Sequence, residues 1–223
     1  MLVLVPYTGR DPKSRLSPLL SAPERRQFSL AMLRDVVEAV REAGGTPELL
    51  VPEPVITADD PVANGGSADV LDGVPETVDD RPLTVAVNAA LDRLDRGQAS
   101  ELAVVMADLA LATPTALRRL FAAGGDVAIA PGRGGGTNAL VVRDPAFSVD
   151  YHGASVRDHR EIAATAGLSA DVVDSMRLAT DVDESPDLVE VLLHGRGRAR
   201  EWLVDAGFEI DADDDGRVGI TRS

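Results

Sequence analysis

The chain has 223 residues, no cysteine and a formal net charge of −15, from 37 acidic and 22 basic residues. The lack of cysteine excludes disulfides, thiolate nucleophiles and thiolate metal ligands. The excess of carboxylates argues against a nucleic-acid-binding surface, because neutralising phosphates requires clustered lysine and arginine. No secretory signal and no apolar run of membrane-spanning length is found, so we expect no membrane partner and a cytoplasmic location for one domain over residues 1–223.

The basic residues are almost all arginine, with Lys13 as the single lysine. Few aromatic residues and many Asp, Ala and Val residues accompany this depletion. The composition is typical of a halophilic source, in which salt screens the repulsion among surface carboxylates. We therefore expect the fold to gain stability in molar KCl.

The first predicted strand, residues 2–5, ends at Pro6 and leads into a polar loop over residues 7–20. This loop carries Arg10, Lys13 and Arg15. Several cations in the loop after a first strand are typical of a phosphate site in nucleotide-binding folds, although the glycine spacing of a Walker motif is missing. The alternative interpretation is a solvated basic loop.

Apolar periodicity then predicts alternating helices and strands. Helices are expected over residues 21–43, 82–94, 114–123, 156–166, 186–193 and 198–206, with Ser21, Thr113, Ser155 and Ser185 as N-caps of four of them. Strands are expected over residues 48–51, 68–71, 102–106, 126–130, 139–142 and 172–180, followed by two short strands around an acidic turn within 208–220. Residues 74–81 are predicted to be a polar loop. The pattern predicts the α/β class, with a central, mostly parallel sheet flanked by helices.

The predicted central strand, residues 102–106, reads LAVVM and delivers Asp108 to its C-terminal end. Open α/β sheets bind their ligands at this edge, so we interpret Asp108 as functional; the alternative is that it caps a turn. Asn88 interrupts the apolar stripe of a predicted helix. It either makes structural hydrogen bonds or contacts a ligand.

A glycine-rich loop, Pro131–Asn138, is predicted to connect two buried strands as a hairpin. Three consecutive glycines leave backbone N–H groups open to a ligand, and Thr137 and Asn138 add a hydroxyl and an amide. These features predict an anion or nucleotide site; the alternative is a flexible hairpin tip. The helix that follows begins near Ser155, and its N-terminus is a second candidate anion site.

Asp181 and Asp183 are predicted to share one face at the end of a strand. With Asp108 they would form an oxygen-rich Mg²⁺ site. The alternative is that the two aspartates cap the following helix, a role that we assign to Ser185. His152 and His159 make a weak case for a metal and are expected to be solvent-exposed.

Several stretches together resemble the 2-phospholactate guanylyltransferase family. They read PKSRLSPLL, ERRQFSLAMLRDV, VVMADLALATP, IAPGRGGGTNALVVR and LATDVDESPDL. The resemblance implies a Rossmann-like nucleotidyltransferase fold and the joining of GTP to 2-phospho-L-lactate, or in bacterial relatives to phosphoenolpyruvate, with release of pyrophosphate. The product, lactyl-diphospho-guanosine, would serve the biosynthesis of the deazaflavin coenzyme F-420. A homodimer is also expected from the resemblance.

The predicted site residues fall into four groups. Catalytic roles are predicted for Lys13, Arg15 and Asp108. Nucleotide contacts are predicted for Leu4, Pro6, Lys13, Arg15, Asn88 and Asp108. Acceptor contacts are implied by the resemblance for Thr137, Gly153 and Ser155, and the predicted set also includes Gly135, Gly136 and Asn138. Mg²⁺, the expected cofactor, is assigned to Asp108, Asp181 and Asp183, and the resemblance implies Asp108 together with either Asp181 or Asp183. Two alternatives stay open: a different acceptor, such as phosphoenolpyruvate, a sugar phosphate or a pterin cofactor, or a non-catalytic GTP-binding regulatory module.

Overall fold

The computed structural model describes residues 1–55, 69–212 and 218–223. Its strands are β1 (Leu2–Pro6), β2 (Thr46–Val51), β3 (Glu76–Val78), β4 (Leu102–Val105), β5 (Val127–Pro131), β6 (Thr137–Val142), β7 (Ala170–Val172), β8 (Phe208–Ala212) and β9 (Val218–Arg222). Its helices are α1 (Ala22–Glu42), α2 (Leu83–Asp95), α3 (Pro114–Phe121), α4 (Ser155–Thr165), α5 (Met176–Ala179), α6 (Ser185–His194) and α7 (Arg198–Asp205), with a 3₁₀ turn at Ser14–Leu16. Ala68 and most of the predicted acidic turn, residues 213–217, lie outside the described residues.

A seven-stranded sheet in the order β3-β2-β1-β4-β6-β5-β7 forms the centre of the molecule. All of its neighbouring pairs are parallel except those of β6, which runs antiparallel to both β4 and β5. The predicted mostly parallel sheet flanked by helices is therefore confirmed, and so is the hairpin around the glycine-rich loop. A second sheet contains β8 and β9.

The central strands are apolar at nearly every position because both faces of the sheet are covered. In β1, Val3 and Val5 pack in the core cluster that contains residues of α1 and α3, whereas Leu4 packs in the cluster formed with α2 and α4. A third cluster joins α1 to α6, α7 and β8. No helix of the described part of the chain is long and apolar enough to cross a bilayer.

Three predicted elements were wrong. The predicted polar loop at residues 74–81 contains β3, an edge strand that carries no buried residue and hence no apolar signal. Asp69 and the residues after it form turns rather than the predicted strand, and the Asp69 carboxylate binds Arg34. The predicted strand over residues 172–180 is divided: β7 ends at Val172, and Ser175 accepts a hydrogen bond from the Leu178 N–H to begin the single turn of α5.

Two of the predicted caps are also corrected. Ser155 is the first residue of α4 rather than its cap, and its hydroxyl accepts a hydrogen bond from Thr137 instead. At α6 the N-cap is Glu184, which forms a capping box with Asp187, and Ser185 lies inside the helix. The predicted caps of α1 and α3 are confirmed, with a capping box at Ser21 and a hydroxyl bond at Thr113.

Candidate active site

A cleft of about 340 Å³ opens where β1 and β4 end. Its walls come from the loop after β1, from α1, from the residues after β4 and from the segment before α6. It is lined by Pro6, Tyr7, Thr8, Pro12, Lys13, Ser14, Arg15, Ser29, Met106, Ala107, Asp108 and Asp183. The structure thus brings the predicted cationic loop and the predicted strand-end aspartate to one place at the ligand-binding edge of the sheet.

The Lys13 ammonium lies between two carboxylates in this cleft. Its Nζ donates to Asp108 Oδ2 at 2.7 Å and to Asp183 Oδ1 at 2.8 Å, and its side chain is only 10% exposed. Burial lowers the pKa of Lys13, but the charges of Asp108 and Asp183 raise it overall above its usual value. The ammonium therefore stays charged, and it lies where the two carboxylates share one cation.

Asp108 keeps one free acceptor in this arrangement. Its Oδ1 is buried and has no hydrogen-bond partner within the described ranges, a situation that favours binding of a missing ligand. Carboxylate oxygens are the donors that Mg²⁺ prefers, and Mg²⁺ sites commonly use one or two carboxylates together with substrate phosphates and water. Asp108 and Asp183 thus fit a divalent cation that arrives with a nucleotide.

Asp181 does not share a contact with Asp108 and Asp183. Its Oδ1 accepts a hydrogen bond from Asn138 at 3.1 Å, and the described residues contain no group of three acidic or histidine side chains able to hold a metal. The segment carrying both aspartates is irregular rather than the predicted strand end, and it is attached to the sheet where the Val182 N–H donates to the Asp108 carbonyl. The structure therefore separates the three predicted ligands into a pair and a single residue.

A buried arginine of α1 holds the loop that carries Lys13. Arg25 donates through Nε to the Pro12 carbonyl at 3.0 Å, through Nη1 to the Leu20 carbonyl and through Nη2 to the Asp11 carboxylate. Asp11 and Lys13 are the non-glycine residues with positive φ in the described chain, a conformation that persists only where surrounding contacts enforce it. Arg25 is a positioning residue that sequence reasoning missed, although its place three residues before the buried Phe28 on α1 is a usable signal.

Arg15 lies at the rim of the cleft. Its side chain is exposed, and its guanidinium is 3.7 Å from both Asp183 and Glu184. It is therefore available to a ligand at little energetic cost, because such exposed ion pairs contribute little.

The predicted acceptor residues gather at the start of β6 and the start of α4. The Thr137 N–H donates to Ser155 Oγ at 2.8 Å, and Thr137 Oγ1 lies 2.8 Å from His159 Nδ1. The Asn138 amide donates to the Leu178 carbonyl and to Asp181. Gly153 has a φ of +52° in the exposed turn just before α4.

His159 is buried rather than solvent-exposed as predicted, and its position fixes the direction of these hydrogen bonds. Its Nε2 accepts a bond from the Asp150 N–H at 2.9 Å, so the proton of the neutral ring is assigned to Nδ1. Burial lowers the pKa of His159 to about 4, which keeps the ring neutral at pH 7. Thr137 Oγ1 then accepts from His159 and Ser155 Oγ accepts from the Thr137 N–H, so these bonds use neither hydroxyl hydrogen, although both residues are buried.

The glycine-rich loop is a tight turn with part of its backbone already bonded. The Gly135 N–H donates to the Gly132 carbonyl, and the Gly135 carbonyl accepts from the first turn of α4. Within the described residues, no acceptor binds the N–H groups of Gly134 and Gly136. A Cβ at Gly132 would lie 2.5 Å from Asn138 Oδ1, so a larger residue here would displace the Asn138 amide. The predicted anion-binding loop therefore retains two of its donors.

Two predicted nucleotide contacts lie elsewhere. Leu4 of β1 is fully buried in the core cluster formed with α2 and does not line the cleft. Both ends of the Asn88 amide bind the main chain of Val149, at 3.0 and 2.8 Å. These contacts support the structural interpretation of Asn88, whereas Pro6 does line the cleft.

The family model "Guanylyl transferase CofC like" matches residues 1–222 of the chain. A 2-phospho-L-lactate guanylyltransferase of Haloferax volcanii is 59% identical over 222 residues, which cover 100% of this chain and 98% of the relative. A protein of the same name from Natronomonas pharaonis is 54% identical over 222 residues, 100% of this chain and 99% of the relative.

Two solved structures share the fold at low sequence identity. A protein from Desulfovibrio desulfuricans described as a nucleotide-diphospho-sugar transferase has a TM-score of 0.70 at 16% identity, covering 92% of this chain and 94% of its own. A nucleotidyl transferase from Methanothermobacter has a TM-score of 0.58 at 16% identity, covering 86% and 96%. The architecture is thus that of nucleotidyltransferases, and the full-length match shows that the chain belongs to the CofC-like guanylyl transferase family.

Proposed function

We propose that the protein joins GTP to 2-phospho-L-lactate, releases pyrophosphate and forms lactyl-diphospho-guanosine for the deazaflavin coenzyme F-420. The observation that carries the proposal is the Lys13 ammonium held between Asp108 and Asp183 in an open cleft. The relative named for this reaction, 59% identical over the whole chain, supports the choice of substrates. We further expect a single nucleotidyltransferase domain that acts as a cytoplasmic homodimer.

The reaction transfers a guanylyl group to a phosphate. A phosphate oxygen of 2-phospho-L-lactate attacks the α-phosphorus of GTP, a new O–P bond forms, and the bond to the β-phosphate oxygen breaks as pyrophosphate leaves with the electron pair. The nucleophile is already ionised near pH 7, so no general base is required. Catalysis then consists of alignment and charge neutralisation.

Charge neutralisation falls to the cationic loop. The Lys13 ammonium, already between two carboxylates, would stabilise negative charge that develops on the departing pyrophosphate. Arg15, exposed at the rim, would bind the outer phosphates. Asp108 and Asp183 would hold Mg²⁺, which supplies Lewis-acid polarisation of phosphate oxygens when it is bound.

The acceptor would bind at the start of β6 and α4. Thr137 and Ser155 have their hydroxyl oxygens bonded within the protein, so each can donate a hydrogen to the acceptor's phosphate or carboxylate. The N–H of Gly136 is available for the same anion. Fixed donors of this kind cost no reorganisation during the reaction.

Pyrophosphate release tests the proposal. In molar KCl with Mg²⁺, each of the four nucleoside triphosphates is combined with 2-phospho-L-lactate and with phosphoenolpyruvate. Release with GTP and 2-phospho-L-lactate alone supports the proposal, and release with another acceptor assigns a different substrate. No release by folded protein that still binds GTP would identify a non-catalytic binding module.

Asp108→Asn tests the role of the carboxylate pair. We expect turnover to fall by at least about 100-fold, the scale seen when a group that stabilises transition-state charge is removed. Asp92→Asn is the matched control, because Asp92 is exposed on α2 and forms an exposed ion pair with Arg96 at 3.6 Å. Near-normal turnover of Asp108→Asn would contradict the assignment.

A further inference from the structure

A second cleft of about 300 Å³ lies beside the first and shares one wall with it. The shared lining comes from the loop after β1 and from Met106. The rest of this second cleft, which we call the slot, comes from the ends of β2 and β3 and from the start of α2. The slot is lined by Pro6, Tyr7, Thr8, Leu50, Pro52, Asp79, Arg81, Leu83, Ala86 and Met106.

We infer that the slot holds the guanine base of the nucleotide, with the Asp79 carboxylate as the residue that recognises it. The inference rests on the proposed use of a nucleoside triphosphate, whose phosphates would occupy the adjoining cleft at Lys13. None of the residues predicted from the sequence explains why the protein would select guanine over the other bases.

The walls of the slot suit the faces of a flat aromatic ring. Apart from Thr8 and the Asp79–Arg81 pair, the lining residues are aliphatic, aromatic or proline. Leu83, the first residue of α2, remains 38% exposed at this position. Covering such a side chain with a base removes apolar surface of both partners from water.

The polar edge of the slot already holds a group with the donor pattern of guanine. Arg81 donates to the Asp79 carboxylate through Nε, at 2.8 Å to Oδ1, and through Nη2 to Oδ2. In an arginine fork, two parallel N–H groups on nitrogens joined by one carbon meet the two oxygens of a carboxylate. The N1–C2–N2 edge of guanine presents the same two donors on the same connectivity.

This edge discriminates between purines. A carboxylate accepts the N1–H and N2–H of guanine, whereas adenine would place the lone pair of its N1 against a negative charge. Sites built on paired hydrogen bonds reject a ligand that leaves those groups unpaired. The Asp79 side chain is 12% exposed and the Arg81 side chain 51% exposed, so the carboxylate is fixed while the guanidinium is able to leave it for solvent.

Asp79 also has a local structural role. Its Oδ1 accepts a hydrogen bond from the Arg81 N–H at 3.1 Å, which closes the turn before α2. A purely structural Asp79 would explain this contact without a ligand. Asp79→Asn separates the two roles, because the asparagine side-chain oxygen can still accept that N–H while its NH₂ group replaces an acceptor with a donor.

Nucleotide selectivity of Asp79→Asn tests the inference. Xanthine carries an oxygen at C2 in place of the amine of guanine, so it pairs with a carboxamide and not with a carboxylate. We expect GTP affinity to fall by about 10- to 100-fold, XTP affinity to rise, and the GTP:XTP ratio to shift by about 100-fold or more. Calorimetric titration of the full chain with each nucleotide in molar KCl gives these constants without requiring turnover.

Two controls complete the experiment. Asp80→Asn changes the neighbouring charge outside the slot and should keep the wild-type selectivity, and circular dichroism checks that both variants fold. An unchanged GTP:XTP ratio in folded Asp79→Asn, or an equal shift in Asp80→Asn, would overturn the inference. If wild-type protein binds GTP selectively but releases no pyrophosphate, the proposed function fails while the selectivity of Asp79→Asn still decides the base subsite.

Discussion

Lys13→Met tests whether the ammonium occupies the position of a catalytic cation. The substitution keeps an unbranched side chain but removes bonds of 2.7 Å to Asp108 and 2.8 Å to Asp183. Each charge-assisted bond contributes about 1.5–3 kcal/mol. Asp183 is 41% exposed, and the variant no longer has to desolvate the Lys13 ammonium, so we discount the sum to about 2 kcal/mol of lost unfolding free energy. This corresponds to a fall in Tm of about 4–8 °C for a chain of this size.

Mg²⁺ should reverse this loss more strongly in the variant than in the wild type. Without the ammonium, two carboxylates face each other and a divalent cation has no internal competitor. Binding at 100 times the dissociation constant contributes about 2.7 kcal/mol, which would restore the Tm by about 5–10 °C. In the wild type, Mg²⁺ must displace Lys13 from the same oxygens, so its effect should be smaller.

Thermal unfolding followed by circular dichroism, in molar KCl with and without MgCl₂ at matched ionic strength, measures both effects. The double variant Lys13→Met/Asp108→Asn is the control, since it lacks one of the two proposed ligands and should not respond to Mg²⁺. If wild type, single variant and double variant shift equally, Mg²⁺ acts on the acidic surface in general. The reasoning about a shared cation position would then be refuted.

Three further predictions concern the surroundings of the site. Arg25→Met should lower kcat/KM for GTP by about tenfold, because the loop that carries Lys13 loses its three hydrogen bonds to Arg25. Arg26→Met, at an exposed position, should leave kcat/KM unchanged. The same kcat/KM in both variants would contradict the positioning role. Burial lowers the pKa of His159 to about 4, below its unfolded value of about 6.5. Its contribution to stability is therefore present above pH 6.5 and is lost as the pH falls towards 4. The free energy of unfolding should fall by at most about 1.4 kcal/mol per pH unit from this group. Urea unfolding between these values should show a shallower pH dependence in His159→Gln than in wild type or in His152→Gln, and parallel curves would refute this. The charge of −15 predicts a higher Tm in about 2 M than in about 0.1 M KCl, because salt screens carboxylate repulsion; an unchanged Tm would remove the halophilic interpretation.

Elements that bury an apolar face could be predicted from the sequence. The run LAVV of β4 and the apolar stripe of α2 are direct consequences of packing on both sides of a parallel sheet. β3 lies at the sheet edge without a buried residue, so its pairing with β2 leaves no apolar pattern in the sequence. The cap at Ser21 was predicted correctly, whereas the one at Ser155 was not, because its hydroxyl bonds to a residue distant in sequence rather than to its own helix.

The site was predictable where a strand end or a rare residue marked it. Asp108 follows a buried strand, Lys13 is the single lysine, and the structure joins them. Asp183 was singled out together with Asp181, and only the fold separates the two, because the Asp181 carboxylate turns to Asn138. His159 could not be recognised as a buried polar residue, since its bonds join it to the main chain of Asp150 and to the distant Thr137. Arg25 was missed although its spacing from Phe28 is a usable signal.

The reversal of one strand places the proposed acceptor contacts and Asp108 at a single edge of the sheet. β6 is antiparallel to β4, so it begins where β4 ends, and the Met106 N–H donates to the Asn138 carbonyl at 3.0 Å. Had β6 run parallel, Thr137 would lie at the opposite edge, about 20 Å away for a strand of this length. In-line transfer requires reacting atoms about 3–3.5 Å apart. The tight glycine turn that allows β5 to reverse into β6 therefore places Thr137, the proposed acceptor contact, at the same edge of the sheet as Asp108.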